Sequence, residues 1–171
     1  MDVLQAIRER RSIHVFKSDP VPETEVKTLI EAASWAPSTG NLQCRKFYLV
    51  RRAAAKEDLA AAALGQRFIA QAPLVLVVCA DSLRADPYGE RGRSLYALQD
   101  ATASAMNILL AAHGMGLGAC WVGAFDEARV VRILGLPDYE RPVVIIPVGY
   151  PDETPETPPR VLDDGAVVEI D

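Results

Sequence analysis

No apolar run in this chain approaches the roughly 20 residues that a helix needs to cross a bilayer. Its densest run, residues 72–80, is the length of a buried strand. Cysteine is scarce: Cys44, Cys79 and Cys120 are odd in number and form no C-x-x-C, which excludes a disulfide framework and fits reduced thiols. Cys79 and Cys120 sit among apolar residues and read as core. Cys44 borders a polar stretch, but no histidine stands near it in sequence to activate the thiol. The two histidines belong to no H-E-x-x-H or carboxylate cluster, so no metal site is legible. Walker loops and G-x-G-x-x-G are also missing, which removes P-loop and Rossmann sites. Positive charge is in deficit, 18 Lys and Arg against 23 Asp and Glu, and the net charge of −5 argues against nucleic-acid binding. No signal-peptide pattern precedes the first helix-like segment, and a cytoplasmic location is expected.

What remains is the composition of one globular domain over 1–171, half hydrophobic and 24% charged, with no internal repeats. Asp2 caps a first helix to about Arg10, on which Val3, Leu4 and Ile7 share a face. Pro22 and acidic residues open a second helix over 23–36, which Pro37 ends. A strand is expected at 47–50 and an alanine-rich helix at 53–64. The run 74–79 reads as a central strand covered on both faces. Residues 81–91 form a polar loop, and the longest helix spans 93–113. Its alanines suit close packing at the centre of the fold or at a subunit interface. A strand at 119–122, a helix from Asp126 to Gly135 and a strand at 143–148 follow. Pro147 inside that last strand points to a sheet edge or a bulge. The architecture is α+β, a mixed, mostly antiparallel sheet flanked by helices. From 150 the chain turns proline-rich and acidic and runs extended to a possible last strand at 167–170.

Two stretches carry chemistry. R-R-S-I-H-V-F, residues 10–16, gathers two guanidinium forks, a hydroxyl and an imidazole, which suit phosphate oxygens. Arginines at a helix C-terminus can also simply complement the macrodipole. A-P-S-T-G-N-L-Q, residues 36–43, is a proline-fixed polar loop that also reads as helix stop and turn. Together they resemble the nitroreductase family of FMN-dependent oxidoreductases. The resemblance continues in G-L-G-A-C-W-V-G-A-F-D, residues 116–126, and in V-G-Y-P at 148–151, and covers nearly the whole chain.

The resemblance implies a nitroreductase fold, FMN as cofactor and NADH or NADPH as transient electron donor. Hydride would pass by ping-pong kinetics to a nitroaromatic, a quinone or a similar small-molecule acceptor. Flavin fragmentation, dehalogenation, enoyl reduction or a non-catalytic FMN-binding module are alternatives on the same scaffold. It implies that Arg10, Arg11 and Ser12 hold the phosphate and ribityl chain, with Arg160 joining them from the tail. The position of His14 is usually Arg or Lys in the family. Histidine keeps a donor there but makes its charge pH-dependent. Pro37, Ser38 and Thr39 would pack on the flavin ring of a neighbouring subunit, and Asn41 and Gln43 would hydrogen-bond it or order the loop. Val122 and Gly123 would bring backbone close to the ring, where a residue without Cβ is favoured. No protein side chain need act as acid or base, because the flavin carries the reaction. The protein should be a homodimer with composite sites, its 150–171 arm embracing the partner. At up to ~3.3 Å per residue, the arm reaches some tens of ångströms. Two departures stand out: Cys44-Arg45 replaces the family's common Pro-Trp after the loop, and only the short 81–93 loop replaces a longer helical insertion.

Overall fold

The computed structural model describes residues 2–160 and 165–170, so part of the expected arm (161–164 and 171) and Met1 lie outside the described residues. In chain order the elements are α1 (Val3–Glu9), α2 (Glu23–Ser34), β1 (Arg45–Val50), α3 (Ala53–Ala62), α4 (Phe68–Gln71), β2 (Leu74–Asp81), α5 (Gly89–Arg91), α6 (Ala97–Gly114), β3 (Gly118–Ala119), α7 (Glu127–Leu134) and β4 (Glu140–Gly149). The strands form one sheet in the order β1-β2-β4-β3, antiparallel throughout. Among the described residues the one parallel pairing is an isolated bridge from Ser12 to Ala119.

The continuous hydrophobicity of β2 follows from its place between two helical layers. Leu74, Leu76, Val78 and Ala80 pack with α2 and α6 through Val26, Leu29, Ala101, Ala105 and Ile108. Val75, Val77 and Cys79 point the other way, onto Leu59, Ile69 and Val130 of α3, α4 and α7. All eight β2 residues are buried. The alanine stripe of α6 lets that helix lie directly on the sheet, at the centre of the fold.

Local chemistry explains the helix ends. Asp2 accepts the Gln5 N–H at 2.9 Å, and Asp126 accepts the Arg129 N–H at 3.0 Å. Gly135, at φ 64°, closes α7 in the left-handed conformation.

Four expectations change. The strand expected at 119–122 shrinks to Gly118–Ala119, followed by a lone bridge from Val122 to Ile145. Between them Cys120 donates to the Pro147 carbonyl, and Pro147 has no N–H to return the rung. Pro147 therefore sits inside the sheet, its missing donor turned toward this interrupted edge. The bulge lies instead at Val78/Cys79, opposite Pro142 and Val144. The 81–91 loop contains helical turns at Asp86–Tyr88 and Gly89–Arg91, which run through a wide turn at Gly92–Tyr96 into α6. Residues 167–170 form no strand within the chain, and Val167, Val168 and Ile170 are exposed.

Candidate functional site

Arg10 caps α1, its N–H bonded to the Ala6 carbonyl, and the chain then runs extended along the root of the arm. Lys17 donates to the Tyr150 carbonyl and Asp152 to that of Val15, both at 2.9 Å, and Phe16 bridges Pro151. The Glu153 carboxylate accepts the backbone N–H groups of both His14 and Val15. Further along the arm, Thr157 accepts from the Arg11 guanidinium, which also donates to the carbonyls of Arg8 and Arg10.

This pairing folds the arm over the end of α1 and encloses a cavity of about 190 Å³. Arg10, Arg11, Ser12, Glu156 and Arg160 are among its walls. Burial holds the Arg10 guanidinium below its usual range, and Arg160 and Arg11 push it the same way. Three guanidinium groups thus crowd one another in a chain that is acidic overall. Side by side with it lies a larger, mostly apolar cavity of about 430 Å³ that shares Arg10 and Arg11 and is walled by Ile13, Leu109, His113 and Leu117.

His14 follows this cluster but does not line its cavity. Its ring meets Phe68 edge to face, centroids 4.7 Å apart, with Nε2 3.5 Å from Cys120 Sγ and Nδ1 3.9 Å from Glu153. Burial pushes the Cys120 thiol up, while a Ser12 hydrogen bond and Arg10 pull it back in part.

The 37–43 loop is elsewhere. Pro37, Ser38 and Thr39 face an open cavity of about 330 Å³ together with Gln99, Asp100 and Ala103. Gly40, Asn41 and Gln43 all take the left-handed region, at φ 56°, 57° and 54°. Such a run is unusual for residues with a Cβ and marks a loop held in shape by its surroundings. Ser38 Oγ accepts the Gln43 N–H at 3.1 Å, and Arg84 donates to the Gln43 carbonyl at 3.3 Å. Cys44 is fully buried, and burial together with Asp100 raises its thiol to about 11, so it is an inert core residue.

Val122 and Gly123 form a third location. Val122 is buried and exchanges two 3.0 Å hydrogen bonds with Ile145. Gly123 follows at the surface and lines a cavity of about 240 Å³ with Leu98, Phe125, Glu127 and Arg141. The single chain therefore unites Arg10, Arg11, Ser12 and Arg160. The 37–39 segment and Gly123 line cavities of their own.

Sequence reasoning missed Asp100 and Glu153. Asp100 was detectable, because helical spacing puts it on the stripe of Ala97, Ala101 and Ser104 that faces the core. Glu153 carries no such signal, since its partners are 138 and 139 residues away. Among the described residues no group of His, Cys, Asp or Glu is arranged to hold a metal ion, and no helix is long and apolar enough to cross a membrane.

The profile of the Nitroreductase family matches residues 7–67 and 61–150. A protein of Methanothermobacter thermautotrophicus, named as a candidate NADH dehydrogenase/NAD(P)H nitroreductase, is 35% identical over 92% of this chain and 81% of its own. The NADH dehydrogenase of Thermus thermophilus is 32% identical over 90% of this chain and 88% of its own length. Among solved structures, the NADPH:FMN oxidoreductase of Vibrio harveyi, complexed with NAD+, superposes with a TM-score of 0.86 at 28% identity. It covers 99% of this chain and 79% of that one.

Proposed function

The chain belongs to the nitroreductase family, and from that premise we propose that it is an FMN-dependent NAD(P)H oxidoreductase acting as a homodimer in the cytoplasm. The observation that carries this reading is the convergence of Arg10, Arg11, Ser12 and Arg160 on one small cavity. Crowded guanidinium groups, one of them held down by burial and by the other two, are relieved by a dianion. A phosphate monoester fits that chemistry. Because the cavity offers a single anion cluster, FMN is favoured over FAD with its pyrophosphate.

Bound FMN would supply the redox chemistry, accepting a hydride from NAD(P)H and delivering the electrons to a nitroaromatic, a quinone or a similar acceptor. The chain's own residues bind and orient. Arg10, Arg11, Ser12 and Arg160 hold the phosphate end. Val122 is held to Ile145 by two backbone hydrogen bonds, which would fix the backbone at Gly123 for close approach to the ring. Pro37, Ser38 and Thr39, with Asn41 and Gln43, cover the ring from the partner subunit. Donor and acceptor would use the same open face in turn, which gives ping-pong kinetics.

The dimer is supported by what one chain leaves uncovered. Val3, Leu4 and Ile7 on α1 are 65%, 57% and 52% exposed, and Val167, Val168 and Ile170 on the arm are exposed as well. A second copy would bury these faces and bring the 37–43 loop of one subunit to the Arg10 cluster of the other.

Purified protein decides the matter. Flavin released by denaturation should be FMN, and NADH or NADPH added without oxygen should bleach the bound flavin. Recovery of FAD alone would overturn the cofactor assignment. Bound FMN that neither nucleotide bleaches would mark a binding module rather than an enzyme.

A further inference from the structure

The 37–44 loop holds an unfavourable backbone shape, and the structure shows what imposes it. Asp100 lies in the first turn of α6 and is only 3% exposed. One carboxylate oxygen accepts the N–H of Thr39 and the other that of Cys44, each at 3.0 Å. Those two residues bracket the left-handed positions Gly40, Asn41 and Gln43. The carboxylate therefore grips the loop on both sides of its turn.

The remaining groups leave Asp100 no other role within the chain. Its backbone carbonyl is taken by the Ser104 hydroxyl, and the Cys44 carbonyl by the Asp81 N–H. Among the described residues Asp100 forms no ion pair. Arg45, itself 6% exposed, interacts with it electrostatically, but its guanidinium donates to the Ser34 carbonyl at the end of α2. A buried carboxylate without an ion pair is costly unless backbone N–H groups stabilise it. Here each oxygen has one. Because α6 is packed on the sheet along its alanine stripe, Asp100 ties the loop to a helix anchored in the core.

We propose that Asp100 is the positioning residue of the cofactor-facing loop, fixing the backbone that presents Ser38, Thr39 and Asn41 to the flavin of the partner subunit. This rests on the reading of the loop as a ring-packing segment. Asparagine at position 100 keeps one acceptor but turns an NH2 group toward the second backbone N–H, donor against donor. The grip is then lost on one side without any change in volume.

The test compares wild-type holoprotein with Asp100→Asn at saturating FMN and well below either melting temperature. Asp100→Asn should shift the visible absorption bands of the bound flavin and raise KM for NAD(P)H about tenfold, with kcat within about threefold. A purely structural role would lower the melting temperature and leave band positions and KM unchanged, and that result overturns the proposal. If the variant does not fold, amide exchange in the wild-type holoprotein decides. Thr39 and Cys44 N–H groups exchanging about 100-fold more slowly than unprotected amides support the grip, and unprotected rates overturn it. Wild-type protein that takes up no flavin overturns the functional reading itself, and this one with it.

Discussion

The two polar regions of this protein are stabilised in opposite ways. Around Arg10 the backbone is satisfied, through the pairing of residues 14–17 with the root of the arm, while the guanidinium charges crowd one another and bond only neutral oxygens. Arg10, Arg11 and Arg160 line one cavity with Glu156, and burial and the other two guanidinium groups hold Arg10 below its usual range. Around the 37–44 loop the reverse holds. The backbone is strained, at left-handed Asn41 and Gln43, while both carboxylate oxygens and the carbonyl of Asp100 have their partners. The first arrangement has capacity left for a ligand. The second spends its hydrogen bonds on holding a shape. Both rest on α6, which carries Asp100 at its start and Leu109 and His113 beside the arginines at its end.

The most severe way to break this contrast is to remove the arm. Deleting the residues after Gly149 takes away Arg160, Thr157 and Glu153 together, so FMN should no longer copurify and the dimer should dissociate. Size-exclusion chromatography and flavin content check both, and a flavin-loaded dimer without the arm would show the cluster to be independent of it. Next in size, Arg10→Ala should weaken FMN binding by about 1.5–3 kcal/mol, the scale of a charged hydrogen bond. The same change should leave the apoprotein as stable as before, within about 0.5 kcal/mol, because it also relieves repulsion from Arg11 and Arg160. Fluorescence titration and urea denaturation read the two quantities.

Ser38→Ala probes the other region and should behave in the opposite sense. Losing the acceptor of the Gln43 N–H should lower stability by about 0.5–1.5 kcal/mol, measured by urea denaturation, with a smaller effect on FMN affinity than Arg10→Ala. Equal effects of both variants on both readouts would erase the distinction. The smallest expected effect belongs to His14. A protonated imidazole adds positive charge near the arginine cluster, so FMN affinity should be higher in acidic than in alkaline buffer. The change should be about 0.3–1 kcal/mol, the scale of an exposed charge, and His14→Arg should abolish it. Identical pH profiles in both proteins would confine His14 to its packing against Phe68.

Much of this was legible in the chain, and the reason is local. Asp2, Pro22, Asp126 and Gly135 set helix ends through bonds or dihedral limits within a few residues, and α1, α2 and α7 lie within a residue or two of their expected bounds. The 74–79 run announced a strand covered on both faces, which β2 is. Arg10, Arg11 and Ser12 are contiguous, so their meeting in one cavity required only that the chain leave α1. The edge of the sheet was less legible. Whether 119–122 pairs as a strand depends on Pro147, nearly 30 residues away, which lacks the donor for one rung. Glu153 and Asp100 likewise act across the fold, and of these only Asp100 left a trace, as a carboxylate on an apolar helical stripe, while Arg160 was named only through the family resemblance.

The sequence by itself determined the segments, the family and the identity of the cations, because helix caps, strand periodicity and contiguous motifs are short-range properties. Only the tertiary structure decided that the arm closes over those cations, that a buried carboxylate of α6 grips a strained loop, and that one chain keeps its loop and its arginines in separate cavities. Those outcomes depend on which surfaces the sheet brings within hydrogen-bond reach, and at separations of 56 to 146 residues no local rule sets that.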